Sequence, residues 1–300
     1  MPSEHKIPVI TVGADPELFL WDHKKQMNIS AHDLLPGTKE NPFKVLYGAI
    51  QVDGTAAEFN IDPATSGDQF VGSCLQVMDA VKKHLPKGVV ISIEPYVKYD
   101  REYWGTLPKE TKALGCNPDF NAWTGVINPA PDRSDTPTLC TAAGHIHVGW
   151  GRGFDPKDPS HFGDCCIVAK QLDYFLGVPS LYWDEDPIRR KLYGKAGSFR
   201  PKPYGMEYRA LSNKWLTDTY LMRWVWDRTY TAISSLFQGH IVEKTFTDQA
   251  RTIIDNNIVD WKDKPEYKKL CTEVVLPLMW SGKTNKKIKP LVPGIKKEMY

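Results

Sequence analysis

Three short segments of this chain alternate polar and apolar residues with a period of two. They are Ala57-Glu58-Phe59-Asn60, His145-Ile146-His147 and Glu207-Tyr208-Arg209. Side chains two residues apart in a β-strand lie on the same face, so each segment predicts a strand with one apolar and one ionisable face. A fourth segment, Gly13-Ala14-Asp15-Pro16-Glu17, places another glutamate between two strand-like stretches. A sheet face that carries Glu, His and Arg is typical of an active site.

The order of the predicted elements favours an α+β fold with an antiparallel sheet. Strand-like stretches come early, and Asp53-Gly54-Thr55 predicts the turn of a hairpin. Apolar residues at helical spacing predict helices over 68–85, 160–176, 216–237, 247–256 and 266–279. Strands followed by helices distinguish this chain from the regular alternation that builds a parallel sheet.

Composition restricts the class of protein. Lys+Arg 38 and Asp+Glu 36 give a net charge of +2, which does not predict a nucleic-acid partner. No apolar run approaches the roughly 20 residues of a membrane helix, and the first residues lack the apolar stretch of a signal peptide. We therefore expect a cytoplasmic protein. None of the six cysteines forms a Cys-x-x-Cys pair, which argues against a structural zinc site.

The polar strand faces offer ligands for a cation. Glu17, Glu58 and Glu207 supply hard oxygens that suit Mg²⁺ or Mn²⁺, and one imidazole is compatible with either ion beside phosphate. Carboxylates that converge on one sheet face repel each other unless a cation lies between them, so convergence would favour a metal site. His145 and His147 share a face and could instead bind zinc as a pair. Because the partners are carboxylates, we prefer one of these histidines in a metal or phosphate role.

A basic segment, residues 189–200, precedes the Glu207 strand. It holds two glycines and five cations, namely Arg189, Arg190, Lys191, Lys195 and Arg200. Glycine lets the backbone approach an anion closely, and arginine binds phosphate or carboxylate with two donors. The segment lacks the Walker A pattern, and a solvated loop is the alternative interpretation. Metal-binding carboxylates beside an anion-binding loop predict nucleotide triphosphate chemistry.

Four motifs together resemble a known family. Residues 13–19, 53–60, 144–149 and 204–213 match, in order, the carboxylate–amine ligases of tailed bacteriophages, also called phage COOH–NH2 ligases or amidoligases. This family is similar in catalytic fold to glutamate–cysteine ligase and glutamine synthetase. The resemblance covers roughly residues 7–240. It implies an antiparallel sheet whose concave face holds ATP and Mg²⁺ or Mn²⁺, with helices packed on the other face.

The resemblance also implies a reaction and a role for each residue. ATP phosphorylates a carboxylate, an amine attacks the acyl phosphate, and ADP and phosphate leave. The implied metal ligands are Glu17, Glu58, Glu207 and His145. The implied catalytic residues are Arg209, His147, Asp53 and Arg200. The implied nucleotide contacts are Arg189, Arg190, Lys195, Arg200, Arg209 and His145. Related enzymes often carry Glu-x-Glu where this chain has Asp15-Pro16-Glu17, which leaves the role of Asp15 open.

The same reasoning divides the chain and names its partners. We expect a catalytic domain over 1–240, and a helical extension with a basic tail over 241–300. The expected partners are a small-molecule or peptide carboxylate and an amine. No membrane contact is expected, a homo-oligomer is compatible with the family, and the basic tail leaves contact with nucleic acid as a minority interpretation. The alternative functions are a metal-dependent hydrolase using His145 and His147, and a non-catalytic phage accessory protein on the same fold.

Overall fold

A computed structural model of the protein describes residues 8–112 and 119–276. In these residues the fold is a mixed α/β arrangement of antiparallel sheets and helices. The strands are β1 (Thr11–Ala14), β2 (Glu17–Asp22), β3 (Met27–Ile29), β4 (Phe43–Val45), β5 (Gly48–Asp53), β6 (Ala56–Ile61), β7 (Val89–Ser92), β8 (Tyr96–Lys98), β9 (Phe120–Asn121), β10 (Leu139–Thr141), β11 (Ile146–Gly149), β12 (Ser198–Lys202) and β13 (Gly205–Tyr208). The α-helices are α1 (Gly67–His84), α2 (Arg101–Thr106), α3 (Lys109–Lys112), α4 (Pro159–Leu172), α5 (Val178–Ser180), α6 (Pro187–Leu192), α7 (Thr219–Phe237), α8 (Gln249–Asp255) and α9 (Lys268–Leu270).

The strands form separate sheets instead of the single sheet that the sequence predicted. A five-stranded sheet has the order β1-β11-β13-β12-β9, and a six-stranded sheet has the order β3-β2-β6-β5-β4 with β7 paired to β2. β8 and β10 form a two-stranded sheet. The chain passes between the two large sheets at Asp15-Pro16, after β1 ends and before β2 begins. Proline has no amide hydrogen for the ladder, which explains why the strand is interrupted there.

The hairpin of β5 and β6 confirms the predicted turn. Asp53 pairs with Ala56, and the connecting Gly54 has a φ of 59°. Glycine adopts this left-handed conformation without the steric penalty of a side chain. The hairpin sets Glu58 opposite both Gln51 and Glu17 across the six-stranded sheet.

Helices α1, α4 and α7 cover the apolar sheet faces. Helix α1 begins at the Ser66 cap, whose side chain accepts a hydrogen bond from the amide of Gln69. Val12, Val148 and Met206 lie side by side across the five-stranded sheet and are fully buried in the core beneath these helices. The long central helices agree with the predicted ranges. The sequence did not predict α2, α3 or α6, which are short and have weak periodicity.

The end of the chain is described only in part. The predicted helix over 266–279 is represented by α9 and a π-helical turn at Cys271–Val275, and its last residues lie outside the described ones. The basic tail from 282 onwards also lies outside them. The boundary at residue 240 stays a prediction. No helix in the described ranges is both long enough and apolar enough to cross a membrane.

The carboxyl group of Asp173 is fully buried and links the end of helix α4 to the five-stranded sheet. It lies in a π-helical turn, Asp173–Gly177, directly after α4. Tyr208 donates its hydroxyl to Oδ1 at 2.7 Å, and the Trp123 indole donates to Oδ2 at 2.6 Å. Burial outweighs these hydrogen bonds and raises the pKa of Asp173 to about 7.

We expect Asp173 to make the protein less stable as the pH rises. Its proton is kept in the folded state and lost in the unfolded state between about pH 4 and pH 7. Folding stability from this group is therefore complete below pH 4 and decreases through pH 7, by about 4 kcal/mol for a shift of this size. Denaturant unfolding of wild type and Asp173→Asn at pH 4 and pH 8 measures the effect. The stability of the variant should change less, and parallel pH profiles would contradict the assignment.

Candidate functional site

Strand register aligns ionisable residues across the five-stranded sheet. His147 on β11 pairs with Gly13 on β1 and with Glu207 on β13, and Glu207 pairs with Arg200 on β12. Directly paired residues in an antiparallel sheet project from the same face. The row therefore carries an imidazole, a carboxylate and a guanidinium on the face opposite the buried row at Val148. This polar face is the candidate site.

Asp15 completes a group of possible cation ligands with His147 and Glu207. Each residue offers one ligand atom, and these atoms all lie within 4.8 Å of one another. His147 Nε2 lies 3.0 Å from Asp15 Oδ2. Asp15 Oδ1 and His147 Nε2 are buried and, among the residues that the structure describes, make no hydrogen bond of good geometry. Two carboxylates and one imidazole with such atoms fit Mg²⁺ or Mn²⁺.

Cationic side chains surround the carboxylate of Glu207, which is fully buried. Lys202 Nζ lies 2.9 Å and Arg200 Nη1 lies 3.3 Å from Glu207 Oε2, and Arg209 Nη1 contacts Oε1. Burial and the charge of Asp15 oppose ionisation of Glu207. Arg209 and the nearby imidazoles outweigh them, so the pKa of Glu207 is lowered. The residue is therefore a carboxylate at neutral pH.

The two histidines have opposite electrostatic environments. Burial, followed by the charge of Arg209, lowers the pKa of His145 despite the acids beside it. Burial acts in the same direction on His147, but the charge and contact of Asp15 raise its pKa overall. His145 Nδ1 lies 3.4 Å from Asp15 Oδ1 and 3.3 Å from Glu207 Oε1. The group of three possible ligands includes His147 and not His145.

Glu17 and Glu58 form a second acidic pair on the six-stranded sheet. Glu17 Oε2 accepts a hydrogen bond from the amide of Ala143, and Glu58 Oε2 accepts one from Gln51 Nε2, both at 2.8 Å. Burial, followed by the charge of Asp53, raises the pKa of Glu17 to about 7. Burial and then neighbouring carboxylates, Asp15 first, raise the pKa of Glu58 well above its ordinary value. These shifts express the cost of concentrating negative charge, which a cation would relieve.

Two cavities open beside these residues. The larger, here called the cationic cavity, has a volume of about 740 Å³. Its polar lining includes Asp15, Glu58 and His147 together with four cations, Lys39, Arg152, Arg200 and Lys202. The smaller, here called the carboxylate cavity, has a volume of about 70 Å³ and is lined in part by Glu17, Asp53, Asp119, His145 and Arg209. Asp15 and His147 thus border the cationic cavity, whereas His145 and Arg209 border the carboxylate cavity.

The structure divides the predicted metal ligands between two sheets. Glu207 and His145 lie in the cluster on the five-stranded sheet, whereas Glu17 and Glu58 lie on the six-stranded sheet. The three glutamates therefore do not share one sheet, and their roles as metal ligands stay predictions. Pro16 interrupts the strand between the two sheets, which is why Glu17 does not follow β1.

The predicted catalytic residues all border one of the two cavities. Arg200 and His147 line the cationic cavity, and Arg209 lines the carboxylate cavity. Asp53 also lines the carboxylate cavity, where its Oδ2 lies 2.8 Å from Lys39 Nζ. Their catalytic roles stay predictions.

Two arginines of the basic segment are directed into the protein and line none of the three cavities, so the structure does not form the predicted anion-binding loop at Arg189 and Arg190. Arg189 and Arg190 lie on helix α6 and are each 2% exposed. Arg189 Nη1 donates to the carbonyl of Ala210 at 2.9 Å, and Arg190 Nη2 donates to Ser180 Oγ at 3.0 Å and lies 3.5 Å from Asp184 Oδ2. These guanidinium groups bind the protein's own core, and neither residue lines the cationic cavity. Lys195 lines a third cavity, which is described below.

We expect Arg190→Met to destabilise the fold without a specific loss of nucleotide affinity. The change leaves Asp184 buried without its cation, and breaking a buried ion pair of this kind costs about 3–5 kcal/mol. Thermal unfolding measures the loss, and equilibrium binding of a non-hydrolysable ATP analogue measures the affinity. Normal stability with weakened nucleotide binding would support the original prediction instead.

Sequence reasoning missed four residues of the site. Asp15 was left open, and Lys202, Tyr204 and Asp119 were not selected. Lys202 alternates with Arg200 on β12, a signal of period two that was available in the sequence. Tyr204, whose hydroxyl contacts His147 Nδ1, lies in the turn between β12 and β13 and has no periodic signal. Asp119, whose Oδ2 accepts a hydrogen bond from Arg209 Nε at 3.4 Å, directly precedes β9 and has none either.

Comparison with known proteins agrees with the motif at the centre of the site. No curated protein matches the chain by sequence. Solved structures that match include a bifunctional glutathione synthetase from Pasteurella multocida, with 9% identity and a TM-score of 0.37. That match covers 90% of this chain and 47% of the other, and it is too weak to argue a common fold. The model of a family described as phage phiEco32-like COOH.NH2 ligase-type 2 matches residues 141–245, which include His145, His147, Arg200, Glu207 and Arg209. The model of this COOH.NH2 ligase family thus matches the part of the chain that holds the motifs at 144–149 and 204–213, as those motifs predicted.

Proposed function

We propose that the protein is an ATP-dependent carboxylate–amine ligase that forms an amide bond through an acyl phosphate. The observation that carries the proposal is the group of Asp15, His147 and Glu207 beside Arg200 and Lys202 at the cationic cavity. Cation ligands adjoining free volume lined by positive charge suit the binding of a nucleotide polyphosphate. The ligase family matched by residues 141–245 supports the same reaction class.

The residues of the polar face have complementary roles in this proposal. Asp15, His147 and Glu207 hold Mg²⁺ or Mn²⁺, which when bound neutralises charge on the phosphates. Arg200 and Lys202 bind the nucleotide phosphates. Arg209 lies at the border of the carboxylate cavity and stabilises negative charge on the phosphoryl group as it moves to the substrate.

The second acidic group serves the other half of the reaction. Glu17 and Glu58 add oxygen ligands where neighbouring carboxylates already raise their pKa values. Asp53 lies in the carboxylate cavity and holds the positive charge of the amine. A carboxylate oxygen of the first substrate attacks the γ-phosphorus and ADP leaves. The amine nitrogen then attacks the acyl carbon, phosphate leaves, and the amine proton passes to a carboxylate of this cavity.

The finer properties implied by the family resemblance form part of the same proposal. They are a sheet arrangement like that of glutamine synthetase and glutamate–cysteine ligase, a phage origin, and a location in the host cytoplasm. The antiparallel sheets with helices on their apolar faces support the first of these.

Trapping the acyl phosphate with hydroxylamine tests the proposed function even though the amine substrate is not identified. The protein is incubated with Mg²⁺, ATP, hydroxylamine and pools of amino acids, dicarboxylates and acidic peptides. We expect a hydroxamate and one equivalent of ADP. Labelling the carboxylate with ¹⁸O should transfer one labelled oxygen to phosphate. Formation of AMP and pyrophosphate would contradict the acyl-phosphate route, and absence of nucleotide turnover with every pool would contradict the ligase assignment.

A further inference from the structure

A third cavity, here called the proline-lined cavity, borders the site on the side of Arg209. It has a volume of about 690 Å³, which is in the range of pockets that enclose a ligand larger than a single amino acid. Its apolar lining is formed by Ile127, Pro129, Ala130, Pro131 and Leu192. The carboxylate cavity and the proline-lined cavity share Asp119, Tyr193 and Arg209, so the two volumes adjoin at Arg209.

The apolar wall is held in place by polar contacts behind it. Asn128 Nδ2 donates to Asp119 Oδ1 at 3.2 Å and to Ser198 Oγ at 3.0 Å. Asn121 Oδ1 accepts the amides of Trp123 and Thr124, which closes the turn that leads into the wall. These contacts attach the wall to strand β12. The cavity is therefore a formed feature of the fold.

Apolar side chains of this wall face solvent. Ile127 is 52% exposed, and Pro129 and Ala130 are also exposed. Adjacent apolar residues that a fold leaves uncovered beside a cavity mark a binding surface more often than isolated ones do. A ligand in this cavity therefore needs an apolar portion.

The charges of the cavity distinguish its two ends. Arg209 is 8% exposed and lies at the buried end, whereas Lys191 is exposed and Lys195 is half-buried. Neither lysine makes an ion pair with any residue that the structure describes. Of the acids in the lining, Asp119 contacts Arg209 and Asn128, and the exposed Asp132 accepts the amide of Ser134 at 2.9 Å. Arg209, which also contacts Glu207 and Asp119, presents its guanidinium at the buried end, and the two lysines supply positive charge at the other end.

We propose that the proline-lined cavity binds the carboxylate substrate of the ligase as a long dianion with an apolar middle, the chemistry of an acidic peptide. The reacting carboxylate lies at Arg209, the apolar portion lies along Ile127 and Pro129, and the second anionic group binds Lys191 and Lys195. This inference rests on the proposed function. It goes beyond that function because it selects an extended acidic chain over a free amino acid.

Direct binding of simple dicarboxylates tests the inference without turnover. Isothermal titration calorimetry with succinate, suberate and sebacate, and with decanoate as a single carboxylate of the same length as sebacate, compares chain length and charge. We expect sebacate to bind at least about tenfold more tightly than succinate or decanoate, since two anionic groups contribute only when the spacer reaches both ends. Equal affinities for the three would overturn the inference.

Charge variants show which lysines produce the selectivity. The double variant Lys191→Gln with Lys195→Gln should lower sebacate affinity to that of decanoate and leave decanoate binding unchanged. The matched control removes two exposed lysines of the region around α1, Lys83→Gln with Lys87→Gln, and should behave as wild type. Unchanged selectivity in the first variant, or displacement of sebacate by a non-hydrolysable ATP analogue with Mg²⁺, would also overturn the inference.

Different results would contradict the proposed ligase function and the proposed carboxylate substrate. ADP formation without selectivity for long dicarboxylates would remove the substrate assignment and leave the ligase. Selective binding of sebacate without nucleotide turnover in any pool would remove the ligase and leave an acidic-chain binding site.

Discussion

Glu207→Gln is expected to lower the rate of ATP-dependent amide formation by about 10³-fold, the upper range for loss of one preorganised electrostatic group. The change removes a cation ligand and also the carboxylate that Arg200, Lys202 and Arg209 contact. Steady-state release of ADP with the substrates found by hydroxylamine trapping measures the effect. Most of the loss should lie in kcat, because the cation that Glu207 would hold and the Arg209 guanidinium that it contacts act on the phosphoryl group in the transition state.

The folding of this variant must be measured alongside its turnover. Three cations lose a buried counter-charge in Glu207→Gln, so a lower melting temperature is expected as well. Circular dichroism and intrinsic tryptophan fluorescence distinguish a folded, inactive enzyme from an unfolded one. Glu243→Gln, which removes a carboxylate 3.7 Å from Lys170, is the matched control and should keep wild-type turnover. Turnover within twofold of wild type in folded Glu207→Gln would remove Glu207 from the site.

Asp15→Asn is expected to weaken Mn²⁺ binding by about 100-fold or more. Asparagine keeps the shape of the side chain but removes one of two negative charges from the group of Asp15, His147 and Glu207. Outer contacts of a metal site alone change affinity about 10–100-fold, and a direct charged ligand should exceed that. Calorimetric titration with Mn²⁺, followed by electron paramagnetic resonance of the bound ion, measures the affinity without any turnover.

The pH dependence of Mn²⁺ affinity provides an independent check on the same ligands. Asp15 raises the pKa of His147, so a cation must displace a proton from this imidazole. Wild-type affinity for Mn²⁺ should therefore rise as the pH increases through and above the ordinary pKa of histidine, about 6.5. Asp15→Asn should move this rise to lower pH, because the imidazole loses its acidic partner. The exposed Asp62→Asn serves as the control, and if it weakens Mn²⁺ as strongly as Asp15→Asn, the loss reflects net charge and the ligand assignment is wrong.

Much of the local structure could be predicted from sequence periodicity. The Asp53-Gly54 turn, helix α1 and the alternation around Glu207 depend on neighbouring residues, and each was found where the pattern predicted it. The segment at 189–200 was different. Its cations suggest an anion-binding loop. Helix α6 instead directs the Arg189 guanidinium to the backbone carbonyl of Ala210. No local pattern in the sequence indicates which way a short helix faces.

The sequence by itself determined which residues share a strand face, because side-chain direction in a strand follows from the period of two. It also predicted the resemblance to the ligase family whose model matches residues 141–245, through the motifs around His147 and Glu207. Only the tertiary structure decided which faces meet. Pro16 directs the chain from one sheet to another, which separates Glu17 from Glu207 and brings Asp15 to the latter. The polar face recognised at the outset is therefore completed by Asp15, a residue whose contacts depend on strand pairing across more than a hundred positions.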